Sequence, residues 1–182
     1  MKGIIFRSFL AFTRQEFGEV FVEDMFSLVP SGTEGAYSNV GTYPSSELLQ
    51  MMGHVLEHYE GDAAELQSAF GEFTFARLAS RYPDLVNQYE DAFQCVYDVD
   101  RTIHQNVRKL YPEAELPNMN ARLQNNGQQL LLDYQSPRAF MHMAHGLLKG
   151  CLQHYGDSAR LSMDDLSGGA GTHARFTLTR DD

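Results

Sequence analysis

The fold turns on one stretch: Arg122-Leu123-Gln124-Asn125-Asn126-Gly127-Gln128-Gln129-Leu130-Leu131-Leu132-Asp133-Tyr134-Gln135-Ser136-Pro137-Arg138. Asn125-Asn126-Gly127 signals a tight turn, because Asn and Gly tolerate left-handed backbone. Residues 122–124 and 128–134 on either side predict the two arms of a β-hairpin. The second arm ends in donors at i, i+2 and i+4: Tyr134, Ser136 and Arg138. In an extended chain these leave from one face. Two neutral hydroxyls and a planar guanidinium suit a bound carboxylate or phosphate. Pro137 fits the first position of a helix with Ser136 as its N-cap, and a helix N-terminus would favour the same anion. The stretch therefore predicts an anion clamp where a strand hands over to a helix over residues 137–155.

Upstream of the hairpin the periodicity is helical. Ile4, Ile5, Phe9, Leu10 and Phe12 predict a helix over residues 3–17, stopped by Gly18. A short helix follows over residues 20–28, then a Gly/Ser/Pro-rich loop over 30–44. Ser45 or Ser46 can cap a helix to about residue 59. Asp62 can cap the next, to about residue 82, which Pro83 ends or redirects. Two more helical stretches are expected near 84–94 and 97–110. Downstream, residues 159–163 and 174–179 read as closing strands around Gly168-Gly169-Ala170-Gly171. Helices first and then hairpin, helix and hairpin make an α+β domain: an N-terminal helical part, followed by helices packed on a small antiparallel sheet.

The chain has 182 residues and 43% hydrophobic ones, enough for one domain with a real core. With no Trp, its 12 Phe, 9 Tyr and 8 Met supply the large soft side chains that can line a pocket. A net charge of −10 argues against nucleic acid and anionic membranes as partners, and suits a protein with a basic patch. Cys95 and Cys151 are too few for a disulfide framework and read as buried thiols in a reducing cytoplasm. Arg7 breaks the N-terminal apolar run, so no signal peptide is expected. No apolar stretch approaches the roughly 20 residues of a membrane span.

A second stretch carries the chemistry: Asp100-Arg101-Thr102-Ile103-His104, followed by Leu110-Tyr111-Pro112 and Pro117. Val96, Val99, Ile103, Val107 and Leu110 form an apolar helical stripe with His104 at its margin. Together with the start Met1-Lys2-Gly3-Ile4-Ile5-Phe6 and the Tyr134-x-Ser136-x-Arg138 clamp, these residues make the chain resemble the haem nitric oxide/oxygen binding family (H-NOX, HNOB). That family is related to the haem domain of soluble guanylate cyclase. The resemblance runs from the first residues to the strand at 176–178 and suggests a bacterial stand-alone member.

The resemblance implies haem b, iron protoporphyrin IX, with His104 as the metal ligand. It implies that Tyr134, Ser136 and Arg138 hold the two propionates, and that Pro117 presses on the porphyrin and distorts it. The distal wall maps to Ile5, Phe9, Thr74 and Met143. Oxygen-binding members place a hydrogen-bonding Tyr five residues beyond the clamp Arg, where this chain has Met143. Bound dioxygen gathers negative charge and needs a donor, whereas nitric oxide and carbon monoxide need it far less. The expectation is a cytoplasmic nitric oxide sensor that discriminates against oxygen, and not an enzyme. An inward Thr74 hydroxyl would weaken that inference, although a helical Thr more often bonds its own i−4 carbonyl. In the family, nitric oxide weakens the proximal His bond and the porphyrin relaxes. A mobile N-terminal helical subdomain, here about residues 1–60, then shifts against a haem-holding α+β subdomain, about 61–182. A separate histidine kinase or cyclic-di-GMP enzyme reads the shift. Gly71 and Gly146 fall at family hinge positions, so their Ala variants would alter signalling with haem content intact; the alternative is close helix packing.

Other readings stay open. An oxygen- or redox-responsive haem protein is one, with His142 or His145 as a second ligand. Another is a zinc hydrolase, because His54-Val55-Leu56-Glu57-His58 matches H-x-x-E-H. The apolar face of that helix is Leu48, Leu49, Met52, Val55, Leu56 and Tyr59, which leaves both His on the solvated side.

Overall fold

Apolar spacing and a left-handed Gly18 (φ 87°) set the first two helices, α1 (Gly3–Phe17) and α2 (Glu19–Leu28). The computed structural model describes residues 1–180. It continues with α3 (Ser45–Leu56), α4 (Ala63–Arg81), α5 (Pro83–Val86) and α6 (Ala92–Asp98). A π-helical turn, Val99–His104, leads into α7 (Gln105–Leu110). Then come β1 (Asn118–Gln124), β2 (Gln129–Gln135), α8 (Met141–Tyr155), β3 (Arg160–Asp165) and β4 (His173–Thr179). The chain divides into two compact units, Met1–Leu66 and Gln67–Asp182, so the boundary falls inside α4.

The first unit is built around α1. Gly3 is needed there because a Cβ would sit 1.9 Å from the Ser38 carbonyl oxygen. The N-terminal ammonium donates to the Tyr43 carbonyl at 2.6 Å, and Lys2 bridges to Thr42. Phe6 stacks on Tyr37 at 4.5 Å and meets Tyr43 edge-on at 5.6 Å. At the start of α4, Asp62 accepts from the Ala64 and Glu65 amides while Glu65 accepts from the Asp62 amide, a capping box.

The second unit carries the four-stranded antiparallel sheet, in the order β1-β2-β4-β3. Leu130, Leu132 and Tyr134 of β2 and Ala174, Phe176 and Leu178 of β4 face one core with α6 and α8. On the other face Asp133 accepts from Arg122 at 2.6 Å and Arg175 at 2.7 Å, tying β1, β2 and β4 through one carboxylate. The turn at Asn125–Gly127 uses positive φ at all three residues.

Several sequence expectations change. The first hairpin arm begins at Asn118, four residues early, because an exposed edge strand needs no apolar alternation. Residues 84–94 are not one helix: α5 spans one turn, and α6 starts afresh where Asp91 caps the Gln94 amide at 2.8 Å. Residues 97–110 are not one α-helix either, because the π-helical turn interrupts them, and Leu110 is exposed. No side chain caps α3, which follows Pro44, and Leu49 is exposed. The last helix starts at Met141 rather than at Pro137. The Ser136 hydroxyl accepts from the Arg138 amide at 3.1 Å in a local turn, so it does not cap that helix.

Gly71 and Gly146 mark the closest approach of α4 and α8. A Cβ on Gly71 would lie 2.3 Å from the Met143 carbonyl oxygen, and one on Gly146 1.9 Å from that of Ser68. Close packing explains both glycines. An added methyl at either position would force α4 and α8 apart.

Candidate functional site

Local backbone geometry positions the strongest donor. The π-helical turn is a wide, uncommon form that recurs at functional sites. It ends at His104, whose side chain is 14% exposed. His104 Nδ1 lies 3.2 Å from Asp100 Oδ1, and Asp100 also accepts from Arg108 at 3.0 Å. Burial pushes the imidazole below its usual range, against the opposing pull of Asp100. The ring is therefore neutral at neutral pH. With Nδ1–H donating to the carboxylate, Nε2 keeps its lone pair for a metal. Neighbouring Ile103 packs against the same apolar cluster that contains Tyr134.

The period-2 pattern of β2 persists beyond its end. Tyr134 is buried and Ser136 and Arg138 are half-buried, while Gln135, Pro137 and Ala139 are exposed. The three clamp residues thus share one side even though Ser136 and Arg138 lie outside the strand. Burial raises the Tyr134 phenol above its usual range, so it stays an O–H donor, and Ser136 is its hydrogen-bonding neighbour. Arg138 donates to the Glu115 carbonyl at 3.0 Å and pairs with the Glu115 carboxylate. These bonds anchor the segment that leads to Pro117, which is half-buried just before β1. The Arg138 side chain is 10% exposed and that of Glu115 71%. An exposed carboxylate already meets this sheltered guanidinium, so the guanidinium suits the carboxylate of another group.

Thr74 and Met143 lie in the second unit, on α4 and α8, and both are buried. The Thr74 hydroxyl makes no hydrogen bond. This departs from the expected bond to its i−4 carbonyl, which Ser8 and Thr13 do make in α1. Ile5 and Phe9 belong to the first unit, Phe9 fully buried and Ile5 partly. His145 is bonded to Ser68 at 3.4 Å and stacks on Phe176. Cys95 and Cys151 are buried free thiols. A neutral, oriented imidazole, phenol, hydroxyl and guanidinium donors, and an orphaned buried hydroxyl together fit a haem with its two carboxylates.

Sequence reasoning passed over Asp100 and Glu115. The i, i+4 spacing of Asp100 and His104 was the available signal for the first. Nothing local marks Glu115, which meets Arg138 only through the fold.

The family model described as haem-NO-binding (HNOB) matches residues 2–163. No curated protein matches the chain. Among solved structures, the chain is similar to an H-NOX protein from S. oneidensis in the Fe(II)NO ligation state. The two share 30% identity over the whole of both chains, with a TM-score of 0.92. The Fe(II) unliganded H-NOX protein from K. algicida is also 30% identical, over all of this chain and 97% of that one, with a TM-score of 0.90. An H-NOX protein from Shewanella woodyi in the Fe(II)CO state is 31% identical over 100% and 95%, with a TM-score of 0.84.

Proposed function

The chain belongs to the haem-NO-binding (H-NOX) family of haem-based gas sensors, and from that premise we propose that it senses nitric oxide, discriminates against oxygen and signals to a separate protein. Bound haem would supply a ferrous iron that takes up the gas. In this reading His104 is the proximal ligand, Asp100 orients it, and Tyr134, Ser136 and Arg138 hold the propionates. Pro117 packs on the porphyrin, while Ile5, Phe9, Thr74 and Met143 form the distal wall.

The observation that supports the gas preference is Met143, buried on α8. Its thioether has no hydrogen to donate. Carbon monoxide is a second expected ligand on the same ground. His104 would hold the iron from the end of the π-helical turn, so a change in its ligation would bear on how that turn is held. In this reading the N-terminal helices, about residues 1–60, are the part that moves and that an effector reads. A histidine kinase or a cyclic-di-GMP enzyme that binds the two states with different affinity would complete the pathway. Among the described residues no helix is long and apolar enough to cross a membrane, which accords with a cytoplasmic location.

The deciding experiment is an absorption spectrum of the ferrous protein, with nitric oxide and separately with air. A Soret band that shifts with nitric oxide and forms no stable oxy species is the expected result. One observation favours an oxygen-responsive reading: the unpaired Thr74 hydroxyl is a donor in want of an acceptor. If a stable oxy spectrum forms in the parent and is lost in Thr74→Val, that second reading replaces the first. Asp100→Asn tests the proximal side. Removing an outer partner of a metal-bound His typically costs about 10–100-fold in affinity, so haem retention should fall by about 10-fold or more. Unchanged retention would remove Asp100 from the site.

A further inference from the structure

The H-x-x-E-H segment begins in the last turn of α3 and runs two residues beyond it; it lies in the first unit, whereas His104, Tyr134, Ser136 and Arg138 belong to the second. His54, Glu57 and His58 each offer a ligand atom, all within 4.8 Å of one another. Among the described residues this is the one such group of three His, Cys, Asp or Glu side chains. Glu57 and His58 are exposed, but His54 is sheltered. The His54 side chain is only 14% exposed, and its Nδ1 is 3.8 Å from Glu57 Oε2. Phe21 of α2 stacks on the His54 ring at 5.4 Å and meets the His58 ring edge-on at 5.2 Å. One aromatic ring thus braces both imidazoles, whose centroids are 5.4 Å apart. Such bracing removes part of the ordering cost of a chelate.

We propose that His54, Glu57 and His58 form a binding site for a divalent transition-metal ion of the zinc class. Zinc bonds of about 2.0–2.2 Å place tetrahedral ligand atoms roughly 3.4 Å apart. From separations of up to 4.8 Å, the exposed Glu57 and His58 therefore close by up to about 1.4 Å, which side-chain rotation at the end of α3 supplies. Two imidazoles and one carboxylate select zinc, cobalt, nickel or copper over calcium and magnesium, which prefer oxygen ligands. Water fills the remaining position. In a protease of this motif the Glu is kept free as a base, but here it is the third ligand. A net charge of −10 favours the cation further.

The test titrates the full-length, tag-free, haem-loaded protein with Zn²⁺ by calorimetry, and with Co²⁺ by its visible ligand-field bands. The parent should take up one Zn²⁺ per chain and show a Co²⁺ spectrum that Zn²⁺ erases. His54→Ala, His58→Ala and Glu57→Gln should each weaken binding by about 10-fold or more, and the double His variant should abolish it. The Soret band should not change in any of them, which separates this site from the haem site. One Zn²⁺ per chain retained by the double variant would overturn the assignment, as would a parent that takes up no Zn²⁺ below millimolar concentration.

Discussion

His104→Ala is expected to lower haem affinity by about 100-fold or more, the top of the range for losing a mere outer partner of a metal-bound His. The ratio of Soret to protein absorbance after purification reads the loss, and the rate of haem transfer to an apo-globin acceptor quantifies it. The size of the effect follows from the local design. His104 is kept neutral by burial and held by Asp100, so its Nε2 has nothing to reorganise before it binds. On the proposed reading, the variant keeps the donors Tyr134, Ser136 and Arg138 for the propionates and loses the ring that would hold the iron. His104→Gly with added imidazole should recover the parent spectrum, because the vacated space matches the lost ring. Full haem content and an unaltered ferrous spectrum in His104→Ala would move the ligand to another residue, with His142 and His145 next in line.

Gly146→Ala carries the second large effect. The new methyl would stand 1.9 Å from the Ser68 carbonyl oxygen and 2.7 Å from its carbon, both backbone atoms that cannot rotate away. The two helices must separate instead, and overpacking of this kind costs up to about 3 kcal/mol. For a domain of this size that lowers Tm by about 6–12 °C. Gly53→Ala in α3 is the control, since a Cβ there meets nothing within 4 Å. Removing a helical Gly at such an open position should stabilise by about 0.5–1 kcal/mol. The separation also displaces Met143 on α8, so on the proposed reading haem content should fall along with stability. An unchanged Tm for Gly146→Ala would restore the hinge reading over close packing.

How much of this was legible in the sequence depends on how local the determinants are. Helix α1 matches its expected bounds because a single apolar stripe and a stop at Gly18 decide it. The hairpin was legible because Asn125-Asn126-Gly127 admits few other conformations. The shared side of Tyr134, Ser136 and Arg138 was legible as well, since alternation alone predicts it. The start of the last helix was not. Ser136 and Pro137 look like a cap and a first turn, yet the Ser136 hydroxyl is spent on the Arg138 amide. The π-helical turn left no mark either, because one extra residue per turn changes hydrogen-bond partners without changing composition. Glu115 and the unpaired Thr74 hydroxyl are visible only once distant segments are in place.

The strand order has a consequence for how a signal can leave the molecule. It puts β1 and β3 at the margins of the sheet, where unpaired amides and carbonyls could recruit a strand from another chain. Both margins discourage this. β1 alternates Asn118, Asn120, Arg122 and Gln124 along its exposed positions, and β3 presents Arg160, Ser162 and Asp164. Charged and amide side chains there favour hydration over β-addition, so the sheet is poorly suited to lengthening into a partner or a fibre. Contacts with other proteins are then left to helical and loop surfaces, and crowding of many copies carries little risk of sheet-to-sheet aggregation.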